Sequence, residues 1–411
     1  MRFLLVSINH APEPIGIGKY NGELARWLAD QGHQVHVVTA QPYYPRWQIY
    51  PGFRAWRYST QREATGITIY RCPLYIPKKP STLRRIAHLL SFALSSLPRL
   101  LQQWAWKPEV VMVVVPTLFC APQAALLARL SGALSIIHIQ DFEVDALFGL
   151  EMAKGGLAHR TAALFERFVL QRFDRISTIS PGMLRRAEDK GTPHSRLLYL
   201  PNWSEPGLFQ DAERSPALLR RLGVDPSRRI ILYAGNLGEK QGLDVIIDCA
   251  RHFQGDPSIA FLIVGNGTGK ARLQDLIERS RLNDITLAPL QESHDLPALL
   301  ASADCHLVIQ KPGVADAVMP SKLTNILAVG GNAVITADPG TSLGDLCANF
   351  PGIATQVTPG SASALIQGIR AALDLPRRNL IAQNYAREHL SKDKILHHFF
   401  SEILDGAILK H

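Results

Sequence analysis

The chain has 411 residues, more than one hydrophobic core usually serves, so two domains are expected. A hydrophobic fraction of 46% argues for full folding, and 44 Lys+Arg against 35 Asp+Glu leave a net charge of +9, which suits an anionic partner: nucleotide, nucleic acid or acidic membrane surface. Cys72, Cys120, Cys249, Cys305 and Cys347 are odd in number, widely spaced and form no C-x-x-C pair, so neither a disulfide framework nor a zinc site is indicated, and they read as reduced core thiols in the cytosol.

Met1-Arg2 leads directly into the apolar run Phe3–Ile8, which meets Asn9, His10 and Pro12, and this reads as a first strand rather than a signal peptide. Short β-branched runs then alternate with helical ones as far as Asn202. The predicted strands are Phe3–Ile8, Val35–Thr39, Val110–Val115, Leu134–Ile139 and Arg175–Ile179, and the predicted helices Tyr20–Gln31, Pro122–Leu130 and Thr161–Phe173. Such alternation implies parallel strands joined by right-handed helical crossovers, with a ligand crevice at the strand C-terminal ends. Val110–Ala128 approaches membrane-spanning length, but Pro116, Pro122 and Gln123 divide it, so no transmembrane helix is expected.

The first strand end carries Gly16, Gly18 and Gly22 in a G-x-G-x-x-x-G spacing. The loop from Ile8 to Gly16 is too long for a dehydrogenase turn, and the second strand ends at Thr39-Ala40-Gln41 without an acid for a ribose, which disfavours a nicotinamide enzyme. The loop admits a sugar diphosphate close to the backbone, or it is a turn that needs glycine only for its dihedral angles. Pro42–Trp47 and Trp56–Tyr58 are aromatic and basic, suited to sugar faces, bases or lipid headgroups. Lys78, Lys79, Arg84 and Arg85 then precede the run Ile86–Leu101, which is either a helix lying on an anionic membrane or one buried between domains. Leu134–Ile139 delivers His138, Gln140 and Asp141 to another strand end, with Glu143 and Asp145 following; His138 is either functional or a satisfied structural histidine.

Pro206–Ser227, polar and basic, reads as a connector. A second set follows, with strands Ile230–Ala234, Ile259–Val264, Ile285–Leu287, Cys305–Ile309 and Ala333–Thr336 and helices Leu243–Phe253, Ala271–Arg281, Leu296–Ala301 and Ser321–Val329. Glycine loops Gly235–Gly242 and Gly265–Lys270 follow its first two strands, at the ends where nucleotide contacts belong; the latter lacks the spacing of a P-loop ATPase. Pro312–Asn325 reads as a phosphate and sugar clamp. Pro320 suits a helix first turn, where free N–H groups and the helix dipole attract an anion and Lys322 adds a full charge; the alternative is an ordinary helix start with a surface lysine.

The Gly16–Gly18 loop, His138, the Gly235–Gly242 loop and Pro320-Ser321-Lys322-Leu323 together make the chain resemble the GT-B glycosyltransferases of family 4 over nearly its whole length. Pro73–Lys78, His138–Asp141, Pro201–Glu205 and Lys322–Thr336 resemble more narrowly the branch that transfers fucose in colanic-acid assembly in enteric bacteria. The resemblance implies an α/β fold of two facing Rossmann-like domains with an interdomain cleft: an acceptor-binding domain over 1–205, a nucleotide-sugar-binding domain over 206–385, and a helical segment over 386–411 packing back on the first. It implies retaining transfer from a nucleotide-sugar without a metal or other cofactor, to a lipid-linked saccharide at the anionic inner-membrane surface, by a cytoplasmic, peripherally attached enzyme with no nucleic-acid partner. His138, Asp141 and Lys322 would be catalytic. Gly16, Gly18, Asn236, Lys240, Gln241, Gly265, Asp316, Pro320, Ser321, Lys322, Leu323 and Asn325 would bind the donor. Two departures stand out: the family's glutamate pair falls on Ala317 and Asn325, with Asp316 one position early, and its arginine and lysine become Asn236 and Lys240-Gln241. A non-catalytic nucleotide-sugar-binding subunit and a sugar-nucleotide epimerase are the competing readings.

Overall fold

A computed structural model describes residues 1–78, 81–142, 157–238, 241–312 and 320–408. They form two compact units, one of Met1–Leu200 with His398–His411 and one of Pro201–His397.

In the first unit the strands are β1 (Arg2–Ser7), β2 (Gln34–Ala40), β3 (Ser59–Arg62), β4 (Ile67–Cys72), β5 (Val110–Val115), β6 (Leu134–Ile139), β7 (Arg175–Thr178) and β8 (Leu197–Tyr199). They make one sheet in the order β3-β4-β2-β1-β5-β6-β7-β8, parallel throughout except for the antiparallel edge pair β3-β4. β5 and β6 are buried at every position, which is why they read as unbroken apolar runs rather than alternating ones. The edge strand β3 is polar and largely exposed, so neither it nor its partner β4 stood out in the sequence. A single helix, Thr82–Trp106, covers what reads as the run Ile86–Leu101. One face buries His88, Leu89, Phe92, Ala93, Ser96, Leu100 and Gln103, while Leu83, Leu90, Leu94, Leu97, Leu101 and Trp104 form an exposed stripe at helical spacing. Among the described residues no helix is long and apolar enough to cross a membrane.

The second unit holds β9 (Arg229–Asn236), β10 (Ile259–Asn266), β11 (Ile285–Ala288), β12 (Cys305–Val308), β13 (Ala333–Thr336) and β14 (Thr355–Val357), all parallel, in the order β11-β10-β9-β12-β13-β14. The period of two along β9 feeds two cores, Ile230 and Leu232 on one face of the sheet, Ile231 and Tyr233 on the other. Pro206–Ser227 is not a connector: Phe209, Leu218, Leu219, Leu222 and Val224 are buried in the core of this unit, apolar anchors hidden among exposed charges. Ser204 N–H donates to Leu390 O (2.8 Å) and Lys392 N–H to Ser204 O (3.0 Å), which fastens residues just before that stretch to the same unit. Four of the five free cysteines are buried and Cys347 is half-buried.

Both sheets reverse their strand order at one place, between β1 and β5 and between β9 and β12. At such a switch point the helices on either side depart to opposite faces and leave a crevice beyond the strand ends.

Candidate active site

At the switch point of the second sheet, β12 runs through Ile309 and Gln310 toward the helix Ser321–Ala328. Pro320 is the N-cap of that helix rather than its first residue, and no side chain caps it. The N–H groups of Ser321 and Lys322 therefore point out of the first turn, along the positive end of the helix dipole. The Lys322 side chain crosses Gly235, with its Cδ 3.4 Å and its Nζ 3.9 Å from where a Cβ would stand, and ends 3.8 Å from the centroid of the Tyr233 ring. Residue 322 is partly exposed as a whole, yet its Nζ is shielded from water and has no hydrogen-bond partner among the described residues. Burial lowers its pKa from 10.5 to about 7. An ammonium without counter-charge in such a place is costly, and an arriving anion would offset that cost.

Around it, Gly235 and Gly265 are register partners in β9 and β10, and a Cβ on Gly265 would fall 1.9 Å from Gly235 O. Leu237 N–H donates to Asn266 O (2.9 Å) and Gly269 N–H to Leu237 O (2.8 Å), so the two glycine loops are laced into one floor. Asn236 is exposed at its rim, while the Gln241 Oε1 is buried with no partner among the described residues and lies 2.7 Å from a Cβ placed on Gly238. Leu323 is core, and Asn325 Oδ1 accepts from Ser204 Oγ at 2.8 Å. Lys240 and Asp316 lie outside the described residues, as do Glu143, Asp145 and Lys79.

The first sheet closes its switch point differently. Gly16 caps the helix Ile17–Asp30 at φ +62°, which only glycine adopts easily, whereas Gly18 is required by packing: a Cβ there would meet the Glu13 Cβ at 2.6 Å. Glu13 is nearly fully buried, and its Oε1 accepts from Tyr43 N–H and Tyr44 N–H while its Oε2 accepts from Asn9 Nδ2, each at 2.9 Å. Burial pushes its carboxyl up from 4.5 to about 7 against those donors and the nearby Arg71. Arg71 donates to Ala11 O (2.6 Å), Ala40 O (3.3 Å) and Gln61 Oε1 (2.9 Å). His138, near the end of β6, is buried with Nδ1 2.9 Å from Ser177 Oγ and Nε2 2.8 Å from Gln140 Nε2, and burial lowers its pKa to about 3. Both ring nitrogens are thus engaged within the protein, and Gln140 is the group that carries the chain of contacts to the strand end. Asp141 follows, half-buried.

Tyr233 and Glu13 are absent from the residues that sequence reasoning singles out, and Ser204 enters only within the Pro201–Glu205 stretch, with no role of its own. Tyr233 counts as an apolar strand position. Glu13 had one visible signal, an acid bracketed by Pro12 and Pro14 directly after a strand.

Comparison with known proteins follows the same division of the chain. Residues 16–203 match the family described as "Glycosyl transferase 4-like domain", and residues 215–389 that described as "Glycosyl transferases group 1". The Escherichia coli (strain K12) protein named as the colanic acid biosynthesis glycosyl transferase WcaI is 52% identical over 409 residues, covering 98% of this chain and 100% of that one. Sucrose-phosphate synthase from Thermosynechococcus elongatus superposes with a TM-score of 0.75 at 14% identity over 100% of both chains. Anabaena HepE in complex with UDP does so at 0.69 and 15%, over 99% of this chain and 100% of that chain; likeness at these identities speaks to the fold alone.

Proposed function

Since the chain belongs to the family-4 glycosyltransferases of GT-B fold, we propose that it transfers fucose from GDP-fucose to a polyprenyl-diphosphate-linked saccharide in the assembly of a colanic-acid-like exopolysaccharide. The observation that carries the donor side is the shielded Lys322 ammonium, without a partner among the described residues, beside an uncapped helix start at the switch point of the second sheet. A diphosphate there receives the N–H groups of Ser321 and Lys322, the helix dipole and a full positive charge. As the bond from the anomeric carbon to the diphosphate oxygen breaks, those groups stabilise the departing charge, so we infer that no metal is needed. The acceptor hydroxyl oxygen forms the new bond on the face the leaving group quits, and its proton passes to the leaving phosphate, which retains the anomeric configuration. Asn236, Gln241 and the Gly265 floor border the donor. His138 with Gln140, and Asp141, lie at strand ends of the first unit, to which we assign the acceptor.

The same proposal places the enzyme on the anionic inner face of the membrane. Its support is the exposed stripe of helix Thr82–Trp106 beside Lys78, Arg84 and Arg85, with Trp56 72% exposed in the preceding segment. Basic residues near an anionic surface contribute about 1 kcal/mol each.

The test is conversion of a polyprenyl-diphosphate saccharide by GDP-fucose, read by mass as one added deoxyhexose and by NMR as the retained anomer. A chelator is expected to leave the rate unchanged. Product formed only from another nucleotide-sugar refutes the donor, an inverted anomer refutes the mechanism, and loss with chelator restored by manganese refutes metal independence. Co-sedimentation with anionic liposomes should fall when Lys78, Lys79, Arg84 and Arg85 become glutamine; equal sedimentation of variant and wild type refutes the membrane reading.

A further inference from the structure

Among the described residues Lys322 lies on an aromatic face and meets no carboxylate. Its Nζ stands 3.8 Å from the Tyr233 ring centroid, its chain passes over Gly235 with its Cδ at 3.4 Å from where a Cβ would stand, and Tyr233 is itself fixed by burial and by donating its hydroxyl to Asn236 O at 2.8 Å. The ring is the titratable group that meets Lys322 from β9, and burial raises its hydroxyl pKa well above the usual range, so it stays neutral. From its own helix Lys322 has Ser321, Leu323, Thr324 and Asn325 as neighbours in sequence, none of them charged. Lys311, beyond the end of β12, folds over Gly242, with its Cγ 2.8 Å from where a Cβ would stand. Among the described residues no carboxylate acts on the Lys322 ammonium, and burial is what lowers its pKa.

We propose that donor binding takes up a proton: Tyr233 parks Lys322 with no counter-charge among the described residues, and the arriving diphosphate draws a proton from solvent onto the Lys322 Nζ. The inference rests on the donor-site reading above and deepens it. A cation over a ring in a dry setting is only partly compensated, because the ring quadrupole attracts it far less than a phosphate oxygen does. With the free pKa near 7, ammonium and amine are both well populated at neutral pH. A bound diphosphate favours the ammonium strongly, so the folded protein with donor binds more protons than the protein without it. The sign follows. Below about pH 7 Lys322 is already charged and affinity is flat from this group, and above it affinity falls as pH rises, by about tenfold per pH unit. Tyr233 acts here as a positioning residue: it holds the group at the point of use and sets the pH at which the uptake begins.

The probes are GDP-fucose and, as a second base and sugar, UDP-glucose, whose diphosphate diesters have no proton to gain or lose between about pH 7 and about pH 8.5. Calorimetric titration in two buffers of different ionisation enthalpy counts the protons taken up. The expected result is uptake approaching one proton at about pH 8, with affinity falling about tenfold per unit above neutrality. Residual binding to Lys322→Met should show no uptake. Tyr233→Phe should keep the wild-type onset, while Tyr233→Leu should move it to lower pH, a change that a merely structural tyrosine would not produce. Binding with zero uptake across this range overturns the proposal while leaving the donor site standing, and so does a Tyr233→Leu onset equal to that of wild type. Should neither probe bind the wild type at all, the donor-site reading falls and this inference with it.

Discussion

At the end of β1 the polar side chains are bonded to backbone groups and to one another, whereas at the end of β9 a lysine has no partner among the described residues. Glu13 takes three N–H donors, Arg71 reaches two carbonyls and a side-chain oxygen, and His138 engages both nitrogens; His10 Nε2 and Gln41 Oε1 are the exceptions. Around β9 the helix start is uncapped, and both Lys322 Nζ and Gln241 Oε1 are buried without a partner among the described residues. One strand order therefore supports two different uses of a switch point. A region whose polar groups satisfy each other is a rigid wall that owes its stability to internal bonds. A region with an unsatisfied charge gives up some stability and keeps a place for an anion.

The sharpest way to break that contrast is to wedge each floor apart. Gly265→Ala sets a Cβ 1.9 Å from Gly235 O, a backbone atom that cannot rotate away, and should cost about 3 kcal/mol of unfolding free energy. Gly18→Ala meets the Glu13 Cβ at 2.6 Å and should cost less, about 2 kcal/mol, because that overlap is shallower than the one at Gly265. Urea denaturation of the two variants decides the order; midpoints equal to wild type would show that neither contact is tight.

Glu13→Gln sharpens the comparison through pH. With the folded carboxyl raised from 4.5 to about 7, the folded state binds more protons than the unfolded state within that window, so wild-type stability should decline as pH rises through it and level off above. The variant lacks this slope, and the two stability curves should diverge by about 2 kcal/mol between the ends of the window. Parallel curves would mean that the three N–H donors keep Glu13 ionised throughout.

A smaller effect is expected at Ser204→Ala, which leaves Asn325 Oδ1 without its 2.8 Å donor. The loss should be about 1 kcal/mol, read as a lower urea midpoint. If Asn325 also orients the donor, the KM for nucleotide-sugar rises with kcat unchanged. An unchanged midpoint would show that this bond does not hold the helix Ser321–Ala328 in place.

How much of this was written in the sequence depends on how local the cause is. The central strands and the helix start at Pro320-Ser321-Lys322 were legible, since unbroken β-branched runs and a Pro-Ser-Lys before an apolar helix act over a few residues. β3 and β4 were not, because β3 has a polar, exposed sequence and is a strand only by pairing with β4. Helix Thr82–Trp106 was half legible: its basic start and apolar run are visible, but one apolar face covers the sheet and a second one is left open. His138 was visible as a strand-end histidine, while the hydroxyl that holds it, Ser177, comes from the neighbouring strand β7. Tyr233 stayed hidden because its importance lies in what rests on its face, and a strand pattern records only that it is apolar.

The central claim is that Lys322 is kept unpaired for a diphosphate, and Lys322→Met tests it most directly when binding and stability are measured on the same sample. Without ligand the variant loses a shielded, unpartnered charge, so it should unfold at the same temperature as wild type or above it. Titrated with GDP-fucose near pH 7, it should bind far more weakly, with turnover down about a hundredfold or more. A variant that unfolds earlier while binding GDP-fucose as wild type does would make Lys322 a structural residue and contradict the account.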